Sequence, residues 1–140
     1  MMEQRCIEVS AALVFHLGRL LITQRPFGGH LGGLWEFPGG KREPGETFEE
    51  CVARELREEL EMVVLPGATL GEVRHTYPEK EVLLKFIRCR WVGGIPKAVG
   101  CQDFAWIKRE QLGDYTFPAA DRSLLEELAA RTDWWDQLEG

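Results

Sequence analysis

The sequence predicts a layered fold that mixes strands and helices, of the α+β or α/β class. Three observations carry this. Short apolar, β-prone runs are separated by glycine and proline turns, one segment repeats its apolar residues at helical spacing, and a second helical segment closes the chain. The length of 140 residues suits one domain, residues 1–140, with a single core.

The elements follow in order. Glu8 to Phe15 is rich in apolar and β-branched residues and reads as a strand. Gly18 marks a turn, and Leu20 to Gln24 is the hairpin partner. Pro26 to Gly33 contains four glycines and a proline and reads as a loop. Leu34 to Phe37 is a short strand that runs into Pro38-Gly39-Gly40. Thr47 with Glu50 forms a capping box, each side chain positioned to bond the other's backbone N–H. From there Phe48, Cys51, Val52, Leu56 and Leu60 recur at three and four residues, the mark of an amphipathic helix. Met62 to Leu65 and Thr69 to Thr76 read as two strands with a turn at Pro66-Gly67. Glu81 to Trp91 is a long strand, Gly93 to Pro96 a loop, and Phe104 to Ile107 a further strand. Phe117-Pro118 opens a second helix over Ala119 to Ala130.

Composition excludes several function classes. Hydrophobic residues make up 44% and charged residues 29%, ordinary for a soluble protein. No segment has the length and apolarity of a membrane span. Met1 to Ser10, with Glu3, Arg5 and Glu8, lacks the apolar centre of a signal peptide, so a cytoplasmic location is expected. A net charge of −6 with no evident basic face argues against a nucleic-acid polymer as partner. The cysteines Cys6, Cys51, Cys89 and Cys101 form no CxxC pair and read as reduced, mostly buried thiols. His16, His30 and His75 are scattered too, which argues against a zinc site.

The chemistry sits on the first helix. Glu55, Glu58 and Glu59 lie three and four residues apart and share one face. Their mutual repulsion is unfavourable unless a cation lies among them, and converging carboxylates suit a hard ion such as Mg²⁺ or Mn²⁺. Gly39 and Gly40, just ahead, let the backbone approach a ligand without a Cβ in the way. A glutamate-rich face by itself is usually only a solvated surface. The surroundings change that assessment. Gly40, five residues, Glu46, seven residues, Arg54-Glu55-Leu56, one residue and Glu58-Glu59 form a pattern of specified positions. At roughly 7% per residue type, six such polar or glycine positions coincide by chance in about one chain in 10⁵ of this size.

This pattern, from Gly40 to Met62, resembles the signature of the Nudix hydrolases. The preceding Leu34-Trp35-Glu36-Phe37-Pro38-Gly39-Gly40-Lys41 is similar to the family as well. The resemblance implies a Nudix fold, an α/β/α sandwich with a mixed β-sheet, and divalent-metal-dependent cleavage of a pyrophosphate bond. It implies roles: Glu58 and Glu59 as metal ligands beside the Gly39 carbonyl, and Glu55 as a ligand through water or as base. It further implies that Arg54 orients Glu55 and that Glu46 braces the loop against the helix. Two departures stand out. Glu61 occupies the position where the box usually ends in glycine, and Val99-Gly100-Cys101 lacks the acid that often precedes the residue corresponding to Gln102. Asp103, Glu79 and Glu81 are the candidates to replace it.

Within the family the chain looks most like the MutT type, which hydrolyses oxidised or modified nucleoside triphosphates such as 8-oxo-dGTP. Arg25 after Leu21-Ile22-Thr23-Gln24, the turn Tyr77-Pro78-Glu79-Lys80, and Phe117-Pro118-Ala119-Ala120-Asp121 carry that likeness. Substrate contacts are expected from Arg25, Gly40, Lys41, Tyr77 and Asp121. Asp121 stands where the MutT type has asparagine; as a carboxylate it accepts from guanine's paired donors or from cytosine's amino group. It also suits a helix N-cap. Lys41 and Arg42 read as solvent-facing residues within reach of phosphates, and Trp134-Trp135 as a staple of the C-terminal segment to the core. The alternatives are a dinucleoside polyphosphate or nucleotide sugar substrate, or a Nudix-fold binding module without catalysis. A monomer or homodimer is expected.

Overall fold

Ser10 to Phe15 is buried on both sides, as the central strand of a covered sheet must be. Ala11, Leu13 and Phe15 face one cluster of apolar side chains, while Ala12 and Val14 face another. The computed structural model describes residues 5–136; Glu3 of the N-terminal stretch lies outside them.

This central strand, β1, spans Arg5–His16 and turns at Leu17-Gly18 into β2, Arg19–Gln24. Next come β3, Trp35–Glu36, and β4, Gly39–Lys41, followed by helix α1, Phe48–Leu60. Strands β5, Val63–Thr76, and β6, Lys80–Gly93, form a long antiparallel hairpin, and β7, Asp103–Ile107, pairs with β2. Strand β1 runs parallel to β6 and antiparallel to β2 and β4, so the sheet is mixed. The path across it is β3-β2-β1-β6-β5, with β4 on β1 and β7 on β2.

Helix α1 covers one face through Val52, Leu56 and Leu60. The other face carries α2, Arg122–Ala130, and a final short helix, α3, Thr132–Trp135. Leu124, Leu128, Trp134 and Trp135 join its cluster. The result is the expected α/β/α sandwich. The paired tryptophans do staple the chain: Trp135 meets Phe15 edge-on at 5.3 Å and donates its indole N–H to the Leu128 carbonyl.

Several expectations are corrected. Pro66-Gly67 does not turn the chain; it is a bulge in one continuous β5, where Pro66 pairs with Cys89 and Thr69 with Ile87. The strand expected over Leu34 to Phe37 shrinks to two residues. The second helix begins with a 3-10 turn at Ala119–Asp121 and becomes α-helical only from Arg122. A 3-10 segment at Arg109–Asp114, strand β4 and α3 are additions. Of the cysteines, only Cys51 and Cys89 are buried, while Cys6 is exposed and Cys101 half-buried.

Candidate active site

The start of α1 is built as the capping box requires. Thr47 Oγ1 accepts from the Glu50 N–H at 3.0 Å, and the Glu50 carboxylate accepts from the Thr47 N–H at 2.8 Å. The cap fixes how the Gly39–Glu46 segment enters the helix. Arg54, nearly two turns into the helix, then ties that segment down. Its guanidinium donates to both oxygens of Glu46, at 3.0 and 2.8 Å, and to the Lys41 carbonyl at 3.1 Å. The same group reaches Glu55 at 3.2 Å and Glu58 at 2.8 Å. The paired bonds from Arg54 hold the Glu46 carboxyl down at about 2.

Gly39 and Gly40 are required by close approach. A Cβ on Gly39 would overlap the Ser10 carbonyl and the Ala11 Cα, and one on Gly40 would overlap the Glu55 carboxylate. Backbone therefore lies directly against the acidic face of α1. Glu59 reaches back to accept from the Gly39 N–H at 3.3 Å. Burial, aggravated by the charges of Glu36 and Glu55, pushes its carboxyl up to about 8. Burial raises Glu55 as well.

A cavity of about 280 Å³ opens beside this motif. Gly39, Gly40 and Lys41 line it together with Arg25, Glu36 and Asp121. Phe37, Leu84 and Phe86 give it apolar walls, and Phe37 stacks on Phe117 at 5.3 Å. Such a space, largely apolar with a few polar groups, is what a small organic ligand requires. Asp121 is 6% exposed, and burial next to the Glu36 charge raises its carboxyl to about 7. Its side chain does not cap α2, which corrects the N-cap reading.

Known proteins with this arrangement supply a direct comparison. The family model of the NUDIX domain matches residues 10–127, most of the chain. The chain belongs to the Nudix hydrolase family. It is 37% identical over 131 residues to a CTP pyrophosphohydrolase of Escherichia coli, covering 90% of this chain and 93% of that protein. It is 32% identical to an 8-oxo-dGTP diphosphatase of Haemophilus influenzae, over 94% and 97% of the two chains. Among solved structures, a MutT protein from Methanosarcina mazei superposes with a TM-score of 0.80 at 29% identity, covering 94% and 98%. The fold and the MutT-like character read from the sequence agree with these relatives.

In this Nudix chain the box ends without its usual glycine, yet the geometry is kept. Glu61 adopts the left-handed conformation itself, φ 58° and ψ 31°. The Glu61 N–H bonds the Arg57 carbonyl at 3.0 Å, the single bond of an αL cap, and the Met62 N–H reaches the Leu56 carbonyl at 3.3 Å. The second departure is also visible. Gly100 lies on the helix end, its N–H bonded to the Glu59 carbonyl at 2.9 Å, and brings no carboxylate. Asp103 accepts from its neighbour Phe104, and Glu81 pairs with Arg74 at 2.6 Å. Glu79 sits in the turn between β5 and β6.

Other expected residues fare differently. Arg25 lines the cavity but is engaged, bonding Glu36 at 3.2 Å and the His30 carbonyl at 2.9 Å. Tyr77 does not line it; it lies in the β5–β6 turn against His75 and under Lys80, because β6 enters the cavity wall only at Leu84. Lys41 is exposed as expected, but Arg42 is half-buried, paired with Glu8 and bonded to the Glu46 carbonyl. Glu36 and Phe37 escaped sequence reasoning; their only signal was membership of the Trp35-to-Gly40 run.

No three histidine, cysteine, aspartate or glutamate side chains among the described residues gather closely enough to hold a metal. The reason is local. Arg54 draws Glu55 and Glu58 together, while Glu59 turns to Gly39. The donors nevertheless suit a hard divalent cation. All are oxygens, Glu58 is 59% exposed, and Glu59 is a part-buried carboxyl whose charged form is disfavoured by burial and by Glu36 and Glu55.

Proposed function

We propose that this chain hydrolyses a nucleoside triphosphate, oxidised or modified at the base as in 8-oxo-dGTP, to a nucleoside monophosphate and pyrophosphate. The observation that carries the reading is a cavity lined by Asp121 and Arg25 as well as by Gly39 and Gly40, with Gly40 packed against the Glu55 carboxylate of α1. A nucleotide bound there would set its base against Arg25 and Asp121 and its phosphates against Gly40 and Lys41. The names of the similar proteins, an 8-oxo-dGTP diphosphatase and a CTP pyrophosphohydrolase, support the same class. Guanine and cytosine both present donors that a carboxylate at Asp121 accepts.

The proposed roles follow from placement. Glu58, Glu59 and the Gly39 carbonyl would hold Mg²⁺ or Mn²⁺. When bound, such an ion neutralises phosphate charge and lowers the pKa of water. Glu55, packed on Gly40, takes a proton from the attacking water or binds it in place. Arg54 fixes the Glu55 carboxylate, and Glu46 fixes Arg54 by two bonds. Gly40 and Lys41 meet the phosphates, Lys41 with its exposed ammonium. Arg25 and Asp121 read the base. Water attacks the inner β-phosphorus, so the new oxygen leaves in pyrophosphate.

The test is a panel of canonical, 8-oxo and 5-methyl nucleoside triphosphates with diadenosine polyphosphates and ADP-ribose, run in ¹⁸O-water with Mg²⁺. Pyrophosphate carrying the label, from a triphosphate favoured over the other substrates, is the expected product. Orthophosphate with a nucleoside diphosphate, or preference for a dinucleotide, would refute the reading.

A further inference from the structure

The acid expected from the 99–101 loop is absent, but a carboxylate from an unrelated part of the chain stands on the same side. Thr23 and Glu36 are direct partners across β2 and β3. Directly paired residues project from the same face of a sheet. Two residues before Thr23, on that face, Leu21 packs with Val52, Leu56 and Leu60 of α1. Glu36 therefore projects toward α1, the helix that carries Glu59. Three residues after Glu36, the Gly39 N–H binds the Glu59 carboxylate at 3.3 Å.

A second observation marks the place as polar and incomplete. Thr23 is fully buried, and its Oγ1 has no hydrogen-bond partner among the described residues. Buried hydroxyls are nearly always satisfied. The unsatisfied hydroxyl on the same face as Glu36 leaves an acceptor to which a cation-bound water would donate. The charge balance agrees. Glu36 and Glu59 lie near enough to influence each other electrostatically, and Arg25 is the cation bonded to Glu36.

We propose that Glu36 is a further ligand, direct or through water, of the divalent cation held by Glu59, and so supplies the carboxylate that Gly100 does not. The inference rests on the metal-dependent reading above. It gives Glu36 a second task beyond its ion pair with Arg25, and the two tasks make opposite demands on Arg25. As a mere ion-pair partner, Glu36 needs Arg25 in place. As a cation ligand, it competes with Arg25 for the same carboxylate.

Mn²⁺ binding to the full chain, followed by electron paramagnetic resonance without substrate, separates them. Glu36→Gln is expected to weaken Mn²⁺ binding about tenfold or more, and Glu36→Asp to weaken it less. Arg25→Ala is expected to leave the affinity unchanged or to tighten it. Circular dichroism and the melting temperature verify that each variant is folded; should Glu36→Gln fail this, Glu36→Asp and Arg25→Ala carry the comparison. Equal weakening in Glu36→Gln and Arg25→Ala would overturn the proposal in favour of a structural ion pair. Unchanged affinity in both Glu36 variants, with Glu59→Gln still impaired, would overturn it while leaving the metal-dependent reading intact. Wild-type Mn²⁺ affinity in Glu59→Gln would refute that reading and this proposal with it.

Discussion

Replacing Glu59 by glutamine should stabilise the metal-free protein, and the size of the gain should depend on pH. The Glu59 carboxyl rises from an ordinary 4.5 to about 8, chiefly by burial and then through Glu36 and Glu55. In the unfolded chain it ionises near 4.5. Between pH 4.5 and 8 the unfolded state thus releases a proton that the folded state retains. Stability is full below pH 4.5 and falls as pH rises through this window, by up to about 1.4 kcal/mol per pH unit. At pH 7 the deficit reaches about 3 kcal/mol, against about 1 kcal/mol at pH 5. Glutamine keeps the shape and can still accept from the Gly39 N–H, but it never ionises. In EDTA, Glu59→Gln should therefore melt about 10 °C above wild type at pH 7 and only a few degrees above it at pH 5. Denaturant unfolding at the two pH values gives the free energies directly. An equal effect at both pH values, or a loss of stability at pH 7, would show that Glu59 is not a strained acid. The same variant should lose turnover by several orders of magnitude in Mg²⁺ if Glu59 holds the metal.

Other outcomes follow from the same geometry. Gly40→Ala should fold but lose on the order of 100-fold in kcat, because its methyl displaces the Glu55 carboxylate; Gly39→Ala meets backbone instead and should lower the melting temperature markedly. Asp121→Ala should lose about ten- to a hundredfold in kcat/KM on the preferred base, the worth of one charge-assisted hydrogen bond, with an altered ranking across the substrate panel. An unchanged ranking would show that other residues choose the base. Glu61→Gly removes a left-handed glutamate, a conformation that costs about 1–2 kcal/mol, against about 0.4–1 kcal/mol of added unfolded-chain entropy. A gain of up to about 1 kcal/mol in denaturant unfolding, with activity unchanged, is expected.

The sequence was most informative where local signals and tertiary needs coincide. Helix α1 has its cap, its apolar period and its acidic face within fourteen residues, from Thr47 to Leu60, so its bounds were legible. Strand β1 was legible because burial on both faces demands an unbroken apolar run. Pro66-Gly67 misled because a proline-glycine pair signals a turn unless a long partner strand absorbs it as a bulge, and β6 does. Strand β4 was invisible: its glycines carry no propensity, and packing against β1 alone makes them extended. Glu36 shows the same limit at the site. Nothing within a two-residue strand announces a carboxylate as important; only its register with Thr23 and its bond to Arg25 do so. Tyr77 erred in the other direction, since a motif-like neighbourhood said nothing of how far along β6 the cavity begins.

The stack of Phe37 on Phe117 joins two parts of the chain that have separate histories in the fold. Phe37 belongs to the loop that leads into the acidic helix, whereas Phe117 opens the short segment carrying Asp121. None of the hydrogen bonds that brace Arg54, Glu46 and Glu55 involves residues 117–121. Exchanging residues 118–121 while keeping Phe117 is therefore expected to leave the bonds among Arg54, Glu46 and Glu55 in place.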